Sequence, residues 1–175
     1  MIKELIVDTE TTGLNVKADR IIELAAIELI DGKRTGRVFC SYFNPWPVNV
    51  SKGAFNIHGI SNEFLKDKPR FKRGIRGFLD LAKGHVLIAH NAKFDSEILD
   101  CELQRCGKSP LAKENWCDTL RLARKMYPRL SNSLANLRKR FKINVGGKAH
   151  SALRDCEVLL KVYEILLTES CRSLF

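Results

Sequence analysis

The order of apolar and polar positions divides the chain into strands first and helices later. Ile2 to Asp8 is an apolar, β-branched stretch that ends on a carboxylate and reads as a strand. A loop carrying Thr11-Thr12-Gly13 follows. Arg20 to Ile30 then reads as a second strand, closed by Asp31-Gly32, a strong hairpin signal, and Arg37 to Phe43 as a third. Strands joined in this way predict an antiparallel meander at one side of a sheet.

Asn44-Pro45-Trp46-Pro47 breaks the pattern, and the chain through His58-Gly59-Ile60 reads as loose. Ser61 with Phe64 and Leu65 predicts a short serine-capped helix. Phe71, Ile75, Phe78, Leu79 and Ala82 recur at helical spacing, and Gly84 stops that helix. His85 to His90 reads as a buried strand. Asn91 stands in the cap position of a helix whose apolar row is Phe94, Ile98, Leu99 and Leu103. Trp116 to Thr119 is a short strand. Helices are predicted from Leu120 to Tyr127 (ending before Pro128), from Ser131 to Phe141, and from near Ser151 through Leu167. Three strands followed by strand–helix–strand alternation predict an α/β fold, a mixed sheet flanked by helices. No repeat or linker interrupts residues 1–175, so a single domain is expected.

Composition narrows the function classes. The hydrophobic fraction of 45% and charged fraction of 29% are ordinary for a soluble protein. No uninterrupted apolar run reaches the length of about 18 residues that a membrane span needs. The N-terminus meets Asp8 too soon for a signal peptide, so a cytoplasmic location is expected. None of the six cysteines stands in a CxxC pair, which leaves a zinc ribbon or redox motif without support. The formal net charge of +10 favours a polyanionic partner without specifying one.

The candidate chemistry lies at element ends. Asp8 and Glu10 flank a strand terminus, where side chains at i and i+2 point the same way and two carboxylates can share one cation. Repulsion between acids this close makes an empty structural role costly. His90-Asn91-Ala92-Lys93-Phe94-Asp95 carries a buried strand into a helix start, where Asp95 alone could serve only the helix dipole. In His150-Ser151-Ala152-Leu153-Arg154-Asp155, five helical residues turn through about 500°, so His150 and Asp155 would not share a helix face. His150 is expected in the loop before the helix and Asp155 on its inner face. Hard oxygen ligands suit Mg²⁺ or Mn²⁺ better than zinc.

These three clusters resemble the DEDDh (DnaQ-like) exonucleases of the ribonuclease H-like superfamily. The family pattern Asp-x-Glu-Thr-Thr-Gly, His-x-x-x-Phe-Asp and His-x-x-x-x-Asp is matched in order by Asp8–Gly13, His90–Asp95 and His150–Asp155. Within the family, Asn56-Ile57-His58-Gly59-Ile60-Ser61 and Cys117-Asp118-Thr119-Leu120 resemble the branch that proofreads for bacterial replicative polymerases. That branch carries a tethering extension, whereas this sequence ends just after its last helix.

The resemblance implies a ribonuclease H-like sheet of five strands, three antiparallel and then two parallel. It also implies a 3′→5′ exonuclease with two divalent cations, Mg²⁺ or Mn²⁺. Asp8 would bridge both ions, Glu10 and Asp155 would complete the site of the ion holding the attacking water, and Asp95 would help position the second. His150 would be the general base, a task suited to histidine as a residue type. Thr11, Thr12, Gly13 and Leu14 would line the pocket of the terminal nucleotide, Gly13 by letting backbone approach it. His58, His90, Asn91 and Phe94 are further contacts by the same carry-over, although Phe94 also fits plain core.

The implied partners are single-stranded DNA 3′ ends and a DNA polymerase. RNA trimming of the ribonuclease T or oligoribonuclease type is the alternative, and Thr11-Thr12-Gly13 leans away from oligoribonucleases. A non-catalytic nucleic-acid-binding module is the third reading. Basic residues Arg70, Lys72, Arg73 and Arg76, and Arg121, Arg124, Lys125, Arg138, Lys139 and Arg140, either guide a strand or form solvated helix faces. Ser173-Leu174-Phe175 resembles the end of a sliding-clamp-binding peptide, without the glutamine that anchors such peptides. An apolar tail that packs or frays is the plainer reading.

Overall fold

The computed structural model describes residues 1–146 and 150–172, so Ser173-Leu174-Phe175 lies outside the described residues. Five strands form one sheet in the order β3-β2-β1-β4-β5. They are β1 (Lys3–Thr11), β2 (Ile21–Ile30), β3 (Lys33–Tyr42), β4 (Val86–Ala89) and β5 (Trp116–Asp118). The first three pair antiparallel, and β4 and β5 join parallel to β1, as the family resemblance implied. Helices α1 (Lys52–His58), α2 (Asn62–Leu65), α3 (Phe71–Gly74), α4 (Arg76–Ala82) and α5 (Ala92–Arg105) precede β5. Then come α6 (Thr119–Met126), α7 (Leu134–Arg140) and α8 (Ala152–Arg172). No helix among the described residues is long and apolar enough to cross a membrane.

Alternation along β1 sorts its side chains between two cores. Leu5 and Val7 pack with Leu24, Phe43, Phe78, Ile98 and Leu99, on the side of α3, α4 and α5. Ile6 packs with Ala25, Ile27, Ala152, Cys156 and Leu159, on the side of α8. The strand is therefore gripped from both faces, and its C-terminal end emerges between the starts of α5 and α8. A bidentate ion pair ties α5 to β2, with Arg20 Nε 2.6 Å and Nη2 3.0 Å from the two oxygens of fully buried Glu102.

Several boundaries differ from the sequence expectation. β1 runs on to Thr11 and β3 starts at Lys33. The loose chain before Ile60 contains α1, capped by Ser51, whose hydroxyl accepts from Ala54 N at 3.2 Å, and closed by left-handed Gly59. Only His58 of α1 is buried, so the helix has no amphipathic stripe to betray it. The single helix expected over 71–82 breaks at Ile75. Asn91 holds the cap position of α5 in the left-handed region (φ 69°) and makes no side-chain cap bond. Ser133, rather than Ser131, caps α7.

Candidate active site

The end of β1 collects the three sequence clusters. Asp8 and Glu10 continue the Ile6 face and so point toward α8, where Asp155 stands in the first turn. Ligand oxygens of Asp8, Glu10 and Asp155 all lie within 4.8 Å of one another, in half-buried surroundings. Thr9 points to the other face, and its hydroxyl donates to Asp95 Oδ1 at 2.7 Å. Asp95, buried in the first turn of α5, therefore approaches the same strand end from the opposite side. It stands outside the trio but acts on Asp8 more strongly than Glu10 does.

The electrostatics describe a site short of positive charge. Burial and the charges of Asp95, Glu10, Asp155 and Glu23 push the Asp8 carboxyl well above the usual range. Burial, followed by Asp155, Glu23 and Asp95, pushes Glu10 up to about 8. Burial raises Asp95 to about 7 against the opposing Thr9 bond. Burial also raises Asp155, against His150, Arg154 and Arg138. Carboxyls crowded this way bind protons or a divalent cation, and an all-oxygen donor set matches a hard cation.

His150 is exposed, left-handed (φ 52°), and precedes α8, so it does not share a helix face with Asp155. It lines a cleft of about 400 Å³ together with Asp155. A second cleft, of about 530 Å³, adjoins the trio through Glu10 and is walled by Thr9, Thr11, Gly13, Leu14, His58 and Phe94. Its other wall is Ser51, Gly53, Ala54 and Ile57 from the start and body of α1, a helix where the sequence pattern predicts loose chain. Phe94 serves core and cleft at once, since it also packs on the larger hydrophobic cluster.

Several candidate residues also make structural contacts. Thr12 is fully buried; its hydroxyl donates to Asp19 Oδ1 at 2.7 Å and accepts from Arg20 N at 3.0 Å. It is absent from the cleft walls among the described residues. A Cβ on Gly13 would stand 2.6 Å from Asp19 Oδ2, so glycine is needed here for the Asp19 carboxylate. His58 accepts from Ile60 N on Nδ1 at 3.0 Å, so Nε2 carries the proton that faces the Thr11 carbonyl at 3.3 Å. It thereby ties α1 to the end of β1.

Burial lowers the pKa of His90 and favours the neutral ring, whose Nε2–H donates to the Asn132 carbonyl at 2.8 Å. Its Nδ1 faces the Thr119 hydroxyl at 2.9 Å. Asn91 N donates to Asp118 Oδ1 at 3.1 Å. Both residues hold β4 against β5 and α6. Of the basic residues, Arg138 and Lys139 line the cleft beside His150, and Arg140 is committed to Asn132 and the Tyr127 ring.

No sequence motif marks Glu23. It lies opposite Glu10 in the β1–β2 register, 1% exposed, and accepts from Ala152 N, the first residue of α8, at 3.1 Å. Cys40 and Tyr42 on β3 also donate to it. An acid in a strand that buries both faces is the signal that was available.

Comparison with known proteins shows the family and the fold. The RNase_T exonuclease family matches residues 5–163. The DNA polymerase III subunit epsilon of Rickettsia prowazekii is 43% identical over 179 residues, spanning 99% of this chain and 77% of the relative. The subunit of the same name from Salmonella typhimurium is 38% identical, over 92% of this chain and 70% of the relative. A solved structure of exonuclease X in complex with 5′-overhanging duplex DNA is 30% identical, with a TM-score of 0.76 over 97% of this chain and 93% of that one. E. coli exonuclease I in complex with a dT13 oligonucleotide shares the fold, with a TM-score of 0.86 at 21% identity over 99% of this chain and 43% of that one. The chain belongs to the DEDDh (DnaQ-like) family of 3′→5′ exonucleases.

Proposed function

We propose that this chain removes nucleotides from single-stranded DNA 3′ ends as nucleoside 5′-monophosphates, in the cytoplasm and in the service of a replicative DNA polymerase. The observation that carries this reading is the convergence of Asp8, Glu10 and Asp155 oxygens within 4.8 Å beside a cleft of nucleotide size. Two Mg²⁺ or Mn²⁺ ions would supply a nucleophilic water and Lewis acidity toward the phosphate. Asp8, Glu10 and Asp155 would hold the ions, with Asp8 as the ligand common to both, and Asp95, oriented by Thr9, would serve the second.

The terminal nucleotide occupies the cleft between the Thr11–Leu14 segment and α1, with Leu14 and Ile57 offering exposed apolar surface to its base. His150 takes the proton from the attacking water, and its place on the chain just before α8 brings the ring to the rim of the acid cluster. The polymerase partner is supported by the names of the relatives, and the DNA substrate by those names together with the DNA-bound exonuclease X structure.

Digestion of matched 3′-labelled DNA and RNA oligonucleotides in Mg²⁺, Mn²⁺ and excess EDTA tests the reading. DNA should be shortened stepwise from the 3′ end in either metal and left intact in EDTA. Preferred digestion of RNA would replace the DNA reading with RNA trimming, and digestion in EDTA would reject the metal mechanism.

A further inference from the structure

The cleft of about 400 Å³ between α7 and α8 shares no lining residue with the nucleotide cleft. The two meet at the acid trio, Glu10 lining one and Asp155 the other. Arg138, Lys139 and Arg154 stand around the first of these clefts, with Asp155 as its single acid. Arg154 is the unusual member. Its side chain is only 10% exposed, its Nη1 lies 3.7 Å from Asp155 Oδ1, and its buried Nε has no hydrogen-bond partner among the described residues. A guanidinium taken out of water with one N–H unmet is costly unless an acceptor arrives. Once Asp155 is committed to a cation, the three basic groups face no protein anion in the cleft.

We propose that Arg154, with Arg138 and Lys139, binds a backbone phosphate of the substrate strand, beyond the phosphate that is cut. A planar guanidinium suits a phosphate better than a point charge does. The position follows from the geometry, because the terminal nucleotide lies on the Glu10 side of the acids and this cleft on the Asp155 side. The inference rests on the nuclease reading above and adds a contact from Arg154, a position that the His-x-x-x-x-Asp motif leaves unspecified.

The test is the steady-state digestion of a DNA oligonucleotide by the wild-type chain, Arg154→Leu and Arg154→Lys over a range of KCl. Arg154→Leu should raise KM about tenfold while kcat stays within a few-fold, the signature of lost uniform binding. Its plot of log(kcat/KM) against log[KCl] should lose about 0.7 in slope, one single-strand phosphate contact. Arg154→Lys should restore the slope and part of the affinity. Inhibition by a nucleoside 5′-monophosphate, which has no second phosphate, should be equal in all three.

An unchanged slope and KM in Arg154→Leu overturns the proposal, as does a loss confined to kcat, which would put Arg154 to work on Asp155. Weakened inhibition by the monophosphate would mean that the cleft takes the cleaved phosphate, and overturns it too. Failure of the wild-type chain to digest the oligonucleotide would instead overturn the nuclease reading itself.

Discussion

The Glu23 carboxylate accepts the backbone N–H of Ala152 at 3.1 Å, across 129 residues of sequence. It joins β2, the strand that pairs with the strand of Asp8 and Glu10, to the helix that brings Asp155. The N–H of a first helical turn needs an acceptor, and a buried anion there also meets the positive end of the helix dipole. The distance between Asp155 and the Asp8–Glu10 pair therefore depends on a residue that touches no substrate in the proposed reaction. Glu23→Ala is expected to lower kcat about tenfold with little change in KM, and to weaken Mg²⁺-induced thermal stabilisation. Glu23→Gln, which keeps an acceptor oxygen, should recover most of both. Kinetics and thermal shift together decide it: a lower Tm with unchanged kcat and metal response would reduce Glu23 to packing.

The raised carboxyl pKa values carry a prediction for the metal-free protein. Glu10 rises from the ordinary 4.5 to about 8, so the folded state holds a proton that the unfolded chain has released between those pH values. Stability then falls as pH rises through that window, the reverse of a salt-bridged carboxylate. Glu10→Gln removes the effect. In EDTA its Tm should match the wild type near pH 4 and exceed it by several degrees near pH 8.5, with about 2–4 °C expected per kcal/mol. Excess Mg²⁺ should reverse the order at pH 8.5. A Tm difference that does not change with pH would contradict the charge-crowding picture.

Leu14 is 84% exposed and Ile57 60% exposed, yet both line the cleft proposed for the terminal nucleotide. Exposed side chains contribute little to folding, so Leu14→Ala and Ile57→Ala should leave Tm within about 1–2 °C of the wild type. Each should raise KM several-fold, on the scale of a few buried methylenes. Steady-state kinetics on a short DNA oligonucleotide check this; unchanged KM in both variants would move the terminal nucleotide elsewhere.

The sheet was legible because β1, β2 and β4 announce themselves as apolar runs with punctuated ends, and Asp31-Gly32 marks the hairpin. The acids were legible because each closes or opens such an element. The wall formed by α1 was not, since Gly53 and Asn56 are poor helix formers and Phe55 and Ile57 face outward. The contacts of Thr11-Thr12-Gly13 were not legible. The conformation of this segment is set by Asp19, seven residues from Thr12, and that contact is invisible in the motif itself. The contacts of His90 and Asn91 were hidden for the same reason, their partners Thr119, Asn132 and Asp118 lying in another element or loop.

Asp8 stands at the centre of the proposed chemistry, beside Glu10 and Asp155 on one face and within the field of Asp95 on the other. Digestion of a 3′-labelled DNA strand in Mg²⁺ by Asp8→Ala, with its fold verified by circular dichroism, is the most direct test. Loss of the Asp8 carboxylate should slow nucleotide release by at least about a thousandfold, because in the proposed mechanism several kcal/mol of transition-state stabilisation would depend on the cations it holds. Full activity in that folded variant would contradict the metal site and the mechanism built on it.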